Sequence, residues 1–413
     1  SYTTKSTITV SGTSGTLTAS GASSNVVVDP AAASYLKITG TATMNAGGTN
    51  AVTITAYDTY KNTVTTGANN YTTDKTITFS GANLSPNPAT SPTASNKLSA
   101  DVNFGTGTVI TFTNGVGTST LKLYKAEAAE VDITDSTINS TGAADRDLNI
   151  TVSATTKNKL LWSTQPATPV IAGAVWTSFT IEVTDTYGNR TADIDSVTIA
   201  PSAGSFSAGT LTKAAVSGLA TFNDMSYTTK STITVSGTSG TLTASGASSN
   251  VVVDPAAASY LKITGTATMN AGGTNAVTIT AYDTYNNTVT TGANNYTADK
   301  TITFSGANLS PNPGTSPTAT NKLSADVNFG TGTVITFTNG VGTSTLKLYK
   351  AEAAEVDITD STINSTGAAD RDLNITVSAT TKNKLLWSTQ PATPVIAGAV
   401  WTSFTIEVTD TYG

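Results

Sequence analysis

Carboxylate side chains are the residues of this chain best suited to chemistry. Asp185, Asp193 and Asp195 stand around one predicted turn and the strand that follows it. A second group lies on and after another predicted strand and consists of Glu130, Asp132 and Asp135. Because calcium prefers carboxylate oxygens as ligands, Asp185, Asp193 and Asp195 are a candidate calcium site. Asp185 fits ordinary capping of the turn equally well, and the chain contains no DxDxDG loop.

Tryptophans form the second candidate set. Trp162 and Trp176 recur later in the chain as Trp387 and Trp401. Indole rings exposed on one face of a module would stack on sugars, whereas buried rings would pack a core or a contact between modules. We expect packing, because a large apolar side chain is more often buried than displayed.

The composition excludes several classes of function. The chain has no His and no Cys, which removes Ser-His-Asp and Cys-His catalysis, zinc-hydrolase chemistry and any disulfide framework. A net charge of -6 argues against nucleic acid, whose binding requires clustered Lys and Arg. No apolar run reaches the ~18 residues that span a bilayer, and the chain does not open like a signal peptide. We therefore expect any export signal or anchor to lie outside this sequence.

One stretch, FTIEVTDTYGN from Phe179 to Asn189, indicates the elements that position these residues. Its apolar residues alternate with polar ones, which is typical of a half-buried strand. The strand ends in a turn, since Asp, Gly and Asn favour tight reversals. The same pattern occurs at three other places, Val52 to Asn62, Val277 to Asn287 and Phe404 to Gly413.

The fourth residue of this turn differs between the copies. It is Gly188 in one copy, Lys61 in a second and Asn286 in a third. A lysine in left-handed geometry costs about 1 kcal/mol or more. The variation therefore predicts that any positive φ belongs to the following asparagine, which is Asn62, Asn189 or Asn287.

The chain is an internal repeat with a period of 225 residues, since the sequence from Ser1 reappears from Ser226. The last 188 residues match the first 188 except at Lys61/Asn286, Thr73/Ala298, Ala89/Gly314 and Ser95/Thr320. Each period holds a long and a short module, and Asp29-Pro30 and Asp254-Pro255 look like junctions. The predicted modules are a partial short module 1–29, a long module 30–156, a short module 157–254, a long module 255–381 and a partial short module 382–413.

Each module is predicted to be all-β, and specifically an immunoglobulin-like β-sandwich. Short apolar strands are separated by Gly, Pro and Ser turns, at about seven strands per ~100 residues. The extra length of the long module is a loop from Ser85 to Asn96 with three prolines. Because the end pieces cannot bury their apolar faces alone, we expect a stretch of a longer tandem array. Pairing of the two ends between neighbouring chains is the alternative.

The residues resemble bacterial immunoglobulin-like repeats of the invasin/intimin type, which are found in long surface adhesins. The resemblance rests on the strand with its DTYGN turn, on Ala203-Gly204-Ser205 with Gly209-Thr210-Leu211, and on Gly218-Leu219-Ala220-Thr221. It implies a stalk or spacer outside the cell. The Pro-rich loop and the lack of a distinct tip domain depart from that family.

These observations predict a non-enzymatic structural repeat region of an extracellular or cell-surface protein, acting as a stalk, fibre or surface-layer element. The expected partners are neighbouring copies of the same modules. A carbohydrate- or surface-binding adhesin module, with surface glycans as partners, is the first alternative. An array attached to a catalytic domain elsewhere is the second.

Overall fold

The computed structural model describes residues 1–413 and contains strands but no helix. Strands form because Thr, Val and Ile alternate with polar residues along most of the chain, so one face of each extended segment is apolar. The all-β prediction is confirmed.

The first long module holds ten strands. Their bounds are β3 (Ala33–Thr39), β4 (Thr43–Asn45), β5 (Asn50–Asp58), β6 (Thr73–Ser80), β7 (Thr93–Ser95), β8 (Asp101–Asn103), β9 (Gly107–Phe112), β10 (Val116–Lys122), β11 (Ala128–Thr134) and β12 (Leu148–Ser153); two short strands, β1 (Ser6–Ile8) and β2 (Val26–Val28), precede them. They form two sheets, ordered β3-β5-β10-β7-β8 and β4-β12-β11-β6-β9. All neighbours are antiparallel except β4 and β12.

The two sheets enclose one apolar core. Along β5 every second residue is buried, which is the pattern of a strand with one face on a core. The core holds 21 buried residues between Leu36 and Val152, with Phe79 and Phe112 among the largest. Two facing antiparallel sheets around such a core are an immunoglobulin-like sandwich.

The short module between Lys157 and Asp254 is built from nine shorter strands. They are β13 (Lys159–Thr164), β14 (Val170–Ile171), β15 (Phe179–Thr184), β16 (Ser196–Pro201), β17 (Thr212–Ala214), β18 (Leu219–Phe222), β19 (Ser231–Ile233), β20 (Val235–Thr238) and β21 (Val251–Asp254). Three small sheets, β13-β15-β18, β14-β21-β19 and β17-β16-β20, share a core of 17 buried residues from Leu160 to Val253.

The second long module repeats the first. Its strands are β22 (Ala258–Thr264), β23 (Thr268–Asn270), β24 (Asn275–Asp283), β25 (Ala298–Ser305), β26 (Thr318–Thr320), β27 (Asp326–Asn328), β28 (Gly332–Phe337), β29 (Val341–Lys347), β30 (Ala353–Thr359) and β31 (Leu373–Ser378), followed by the hairpin β32 (Lys384–Thr389) and β33 (Thr405–Thr409). Its core holds 21 buried residues from Leu261 to Val377. The cores thus lie inside the predicted modules, whose boundaries stay predictions.

The modules do not collapse onto one another. The chain exposes 20680 Å² of solvent-accessible surface. A compact monomer of 41.8 kDa would expose about 15,000 Å². The excess is what several small bodies joined end to end produce, because each keeps most of its own surface.

Candidate functional site at the module junctions

The turn after β15 reverses the chain with one residue in left-handed geometry, and that residue is the fourth. Gly188 has a φ of 82°, and its counterparts Lys61 and Asn286 have φ values of 66° and 63°. The prediction that the following asparagine carries the positive φ is therefore wrong. The amide of Gly188 donates to the carbonyl of Asp185, so a type I turn is followed by a left-handed residue, as in three-residue hairpin loops.

The turn aspartate ties the turn to the chain that enters the module. Asp185 is fully buried. Its Oδ1 accepts the backbone amides of Tyr187 and Asn189, both at 2.9 Å. Its Oδ2 accepts the backbone amide of Thr155, in the connection from the previous module, at 3.0 Å. This aspartate therefore fixes the connecting segment as well as the turn.

The other copies of this aspartate make the same contacts. Asp58 and Asp283 accept the amides of Ala31 and Ala256 at 3.0 and 2.9 Å. Burial works to raise the pKa of Asp58, but hydrogen bonds from Asn62, Ala31 and Tyr60 outweigh it and hold that pKa below its ordinary value. The carboxylate is therefore the form that the junction stabilises.

The asparagine that ends the turn reaches into the preceding module. Asn189 is buried, and its Nδ2 donates to the carbonyl of Tyr124 at 2.8 Å. Its Oδ1 accepts the amide of Ala126 at 2.7 Å. An asparagine amide that both donates and accepts in this way imitates a strand neighbour for the backbone of Tyr124 to Ala126.

The same asparagine bridge joins the short module to the long module after it. Asn287 donates to the carbonyl of Thr228 at 2.7 Å and accepts the amide of Lys230 at 2.8 Å. Near the start of the chain, Asn62 is placed between Thr3 and Lys5 in the same manner, at 2.8 and 2.9 Å. The asparagine bridge therefore occurs both where a long module precedes a short one and where a short module precedes a long one.

The turn tyrosine packs on a glycine of the preceding module. Tyr187 lies against the core of the first long module, with its ring 5.2 Å from that of Tyr124. A Cβ on Gly47 would lie only 2.1 Å from the Tyr187 hydroxyl, so only glycine leaves room for the ring. Gly47 also has a φ of 73°, which glycine adopts at little cost. We call this contact the tyrosine seat.

The tyrosine seat recurs with the other modules. Tyr285 packs on Gly173 of the short module, with 2.0 Å between its hydroxyl and a Cβ built on that glycine, and Tyr412 packs on Gly272 at 2.1 Å. Residues 1–29 contain no counterpart of Gly173. Tyr60, which follows them, is accordingly 56% exposed, against 41% for Tyr285.

The Asp-Pro pairs provide a further contact where a short module meets a long one. Thr291 Oγ1 donates to Asp254 Oδ1, and Asn294 Nδ2 donates to the carbonyl of Pro255, both at 3.0 Å. Gly292 lies against the Asp254 carboxyl. The junction is therefore hydrogen-bonded on two sides.

The carboxylates of the predicted calcium site are not gathered into one cluster. Asp185 caps its turn, whereas Asp193 and Asp195 flank the ammonium of Lys157 at 3.0 and 2.6 Å. Hydrogen bonding to Lys157 lowers the pKa of Asp193. The structure contains no group of three or more carboxylates that would hold a metal ion. Calcium at these residues stays a prediction.

One member of the second acidic group, Asp132, lies beside Asp147, a carboxylate outside that group. Burial, together with the neighbouring Asp147 carboxyl, raises the pKa of Asp132 to about 6, and Asp357 beside Asp372 repeats the arrangement. Asp135 instead accepts the Tyr71 hydroxyl and local amides. We therefore expect the stability of the long module to depend on pH.

The tryptophans of the short module serve its core. Trp176 is 3% exposed and packs edge-on against Phe206 at 5.4 Å. Trp162 lies 6.1 Å from Phe179. The packing interpretation is confirmed for this module. Trp387 and Trp401 are about half exposed, because residues 382–413 have no counterparts of Phe206 and Phe222 to cover them.

The sheets and junctions together define a tandem array of immunoglobulin-like sandwich modules. No protein-family model and no curated protein sequence matches the chain. The structure contains no helix with the length and apolar character that crossing a membrane requires.

Several solved structures are similar to this chain. FdeC, an Escherichia coli adhesin, is 20% identical with a TM-score of 0.36, and the match covers 86% of this chain and all of that one. Invasin, a bacterial integrin-binding protein, is 14% identical with a TM-score of 0.32 over 86% of this chain and 62% of its own. Domains 4–9 of the surface-layer protein SbsC are 14% identical with a TM-score of 0.20, over 87% and 50%. Each of these three structures is at most 20% identical to this chain, with a TM-score of at most 0.36.

Proposed function

We infer that this chain is a non-catalytic structural repeat region of an extracellular or cell-surface protein, in which sandwich modules form a stalk, fibre or surface-layer element. The observation that carries this proposal is the repeated junction. At the two junctions between complete modules, a buried aspartate, an asparagine bridge and a tyrosine packed on glycine hold the next module against the previous one. Neighbouring modules and neighbouring copies of the chain are its partners.

The junction chemistry suits a spacer that resists bending. The connecting segment is hydrogen-bonded to the turn at Thr155 and at Ala256, so no free linker separates the modules. Bending would break the asparagine bridge and lift the tyrosine from its glycine at once. A spacer made this way keeps its length because each bend has to expose both polar and apolar groups.

The composition supports a non-catalytic role outside the cell. The chain lacks His and Cys, and only 12% of its residues are charged. Its surface is instead rich in Thr and Ser, which lie on the outer faces of the sheets. The sequence resemblance to invasin/intimin-type repeats adds a surface location to this proposal.

Labelling of intact source cells tests the proposed location. An antibody raised against the 225-residue repeat should bind unpermeabilised cells, and brief trypsin treatment of those cells should remove the signal. A cytosolic marker protein, probed in parallel, controls for lysis. Labelling that appears only after permeabilisation would contradict the surface role.

Binding of a glycan or another polar ligand is a second candidate function, favoured by one repeated groove. The groove has a volume of about 460 Å³ in the first long module and about 470 Å³ in the second. Hydroxyl groups dominate its lining, which includes Thr53, Ser95, Thr118 and Thr120. No aromatic ring lines it, so binding would rest on hydrogen bonds alone. Glycan-array signal lost on Thr118→Val would support this function, and an empty array would exclude it for the glycans tested.

A further inference from the structure

The chain contains two kinds of junction, and the fourth turn residue differs between them. Where a short module is followed by a long one, that residue is Lys61 or Asn286. Where a long module is followed by a short one, it is Gly188 or Gly413. All four adopt positive φ values, so backbone conformation alone does not explain the choice.

The Pro-rich loop of the long module explains why glycine occupies the fourth turn position where a short module follows. The amide of Asn87 in this loop donates to the carbonyl of Tyr187 at 2.9 Å, and Lys159 Nζ donates to the carbonyl of Asn87 at 2.6 Å. A Cβ on Gly188 would lie 2.7 Å from the nitrogen of Asn87 and 2.8 Å from its carbonyl oxygen. The loop therefore presses its backbone against the glycine.

The loop cannot easily give way, because it is closed on itself. Ser85 is buried, its amide donates to the carbonyl of Thr90 at 3.1 Å, and its hydroxyl donates to the carbonyl of Pro88 at 2.5 Å. The amide of Thr90 returns a hydrogen bond to the Ser85 hydroxyl at 2.9 Å. Since the atoms facing Gly188 are mainly backbone, no side-chain rotation relieves the contact.

The second copy repeats the arrangement. The amide of Asn312 donates to the carbonyl of Tyr412 at 2.9 Å, and a Cβ on Gly413 would lie 2.9 Å from the Asn312 nitrogen. Lys384 Nζ donates to the carbonyl of Asn312. The short module has no such loop, so no loop backbone of this kind lies against Lys61 or Asn286.

We propose that the Pro-rich loop of each long module is a selective docking surface that accepts only a following module with glycine at the fourth turn position. This inference rests on the proposed stalk function and adds a rule for which module may follow which. A long module, whose turn carries Lys or Asn there, would place its Cβ against the loop backbone. The rule matters in an array of near-identical repeats, where pairing with the wrong neighbour is a characteristic folding error.

Amide hydrogen exchange of the intact chain tests the proposal. The probe is the loop peptide around Asn87, which differs in mass from its copy because Ala89 is replaced by Gly314. In Gly188→Asn the asparagine tolerates the left-handed geometry, as Asn286 does, so the contact with the loop is the main change. We expect the Asn87 amide to exchange at least 10-fold faster than in the parent chain. The matched control, Asn286→Lys, should leave that exchange unchanged.

A second variant keeps the test valid if Gly188→Asn disturbs the short module. Gly413→Asn makes the same change where no complete module follows in this chain, and the probe is then the Asn312 amide in the copy with Gly314. Unchanged exchange at both Asn87 and Asn312 would overturn the docking rule. Scattering that still reports an extended chain in both variants would leave the stalk function standing, so the two failures are distinguishable.

Discussion

The sharpest prediction concerns Gly47→Ala, which fills the space that the Tyr187 ring occupies in the tyrosine seat. A Cβ at Gly47 would overlap the Tyr187 ring, at 2.1 Å from its hydroxyl oxygen and 2.5 Å from Cζ. The ring must therefore leave. The substitution also places alanine at a φ of 73°, which costs about 1 kcal/mol on its own. Only the first effect reports on the junction.

Gly105→Ala is the matched control within the same module. Gly105 has a φ of 81°, and a Cβ there meets nothing within 4 Å. Both substitutions place alanine at a positive φ and so have the same backbone cost. The difference in junction opening between the two variants therefore reports on the tyrosine seat alone. A half-buried tyrosine removes about 100 Å² from water, which at ~25 cal/mol per Å² is about 2.5 kcal/mol. That energy corresponds to roughly a 70-fold change in the junction opening equilibrium.

Hydrogen exchange measures this opening, because the Asn87 amide donates to the carbonyl of Tyr187 across the junction. We expect the Asn87 amide to exchange roughly 70-fold faster in Gly47→Ala than in Gly105→Ala. The β6 peptide from Thr73, whose copy begins with Ala298, should exchange equally in both variants and so controls for global unfolding. Equal rates at Asn87 in the two variants would refute the seat.

Three further predictions concern the carboxylates. Asp185→Ala should lower the free energy of unfolding of the short module by about 3 kcal/mol, against less than about 1 kcal/mol for Asp193→Ala. Hydrogen exchange of the β16 amides, whose sequence has no copy in the chain, measures both losses, and similar losses would contradict the junction role of Asp185. Because the folded-state pKa of Asp132 is raised to about 6, its contribution to stability falls as pH rises from about 4 to 6. We therefore compare the melting temperature of the double variant Asp132→Asn/Asp357→Asn with that of the parent at two pH values. The increase over the parent should be larger at pH 7 than at pH 4. An equal change at both pH values would be inconsistent with the raised pKa. Millimolar calcium should leave the melting temperature unchanged, because the Lys157 ammonium already pairs with Asp193 and Asp195. A rise in melting temperature would instead support the predicted calcium site.

Strand periodicity in the sequence was sufficient to predict the sandwich fold. The alternation from Phe179 to Val183 becomes a strand buried on one face, and Trp176 packs in the core as expected. Periodicity reports which face of a strand is apolar, and that is a local property. The three cores follow from it because each sheet must cover its apolar face.

The junctions were less accessible from sequence, because they depend on contacts between modules. The positive φ was assigned to the asparagine, since a left-handed lysine is costly; the structure places Lys61 there and keeps Asn62 free to bridge. The sequence did contain a signal for the tyrosine seat. Tyrosine is invariant in all four turns, and the glycine of Ala46-Gly47-Gly48 recurs in the short module as Gly173. Nothing in the sequence alone pairs a glycine with a tyrosine that lies more than a hundred residues later.

Small-angle X-ray scattering of the chain in solution tests the central claim, that these junctions hold the modules in an extended array. A strand of ten residues spans about 33 Å, so three complete modules and two partial ones give a rod of about 120 Å or more and a radius of gyration of about 35 Å or more. A compact chain of 413 residues would have a radius of gyration of about 22 Å. A value near 35 Å with rod-like scattering is the result we predict. A value near 22 Å would contradict the account.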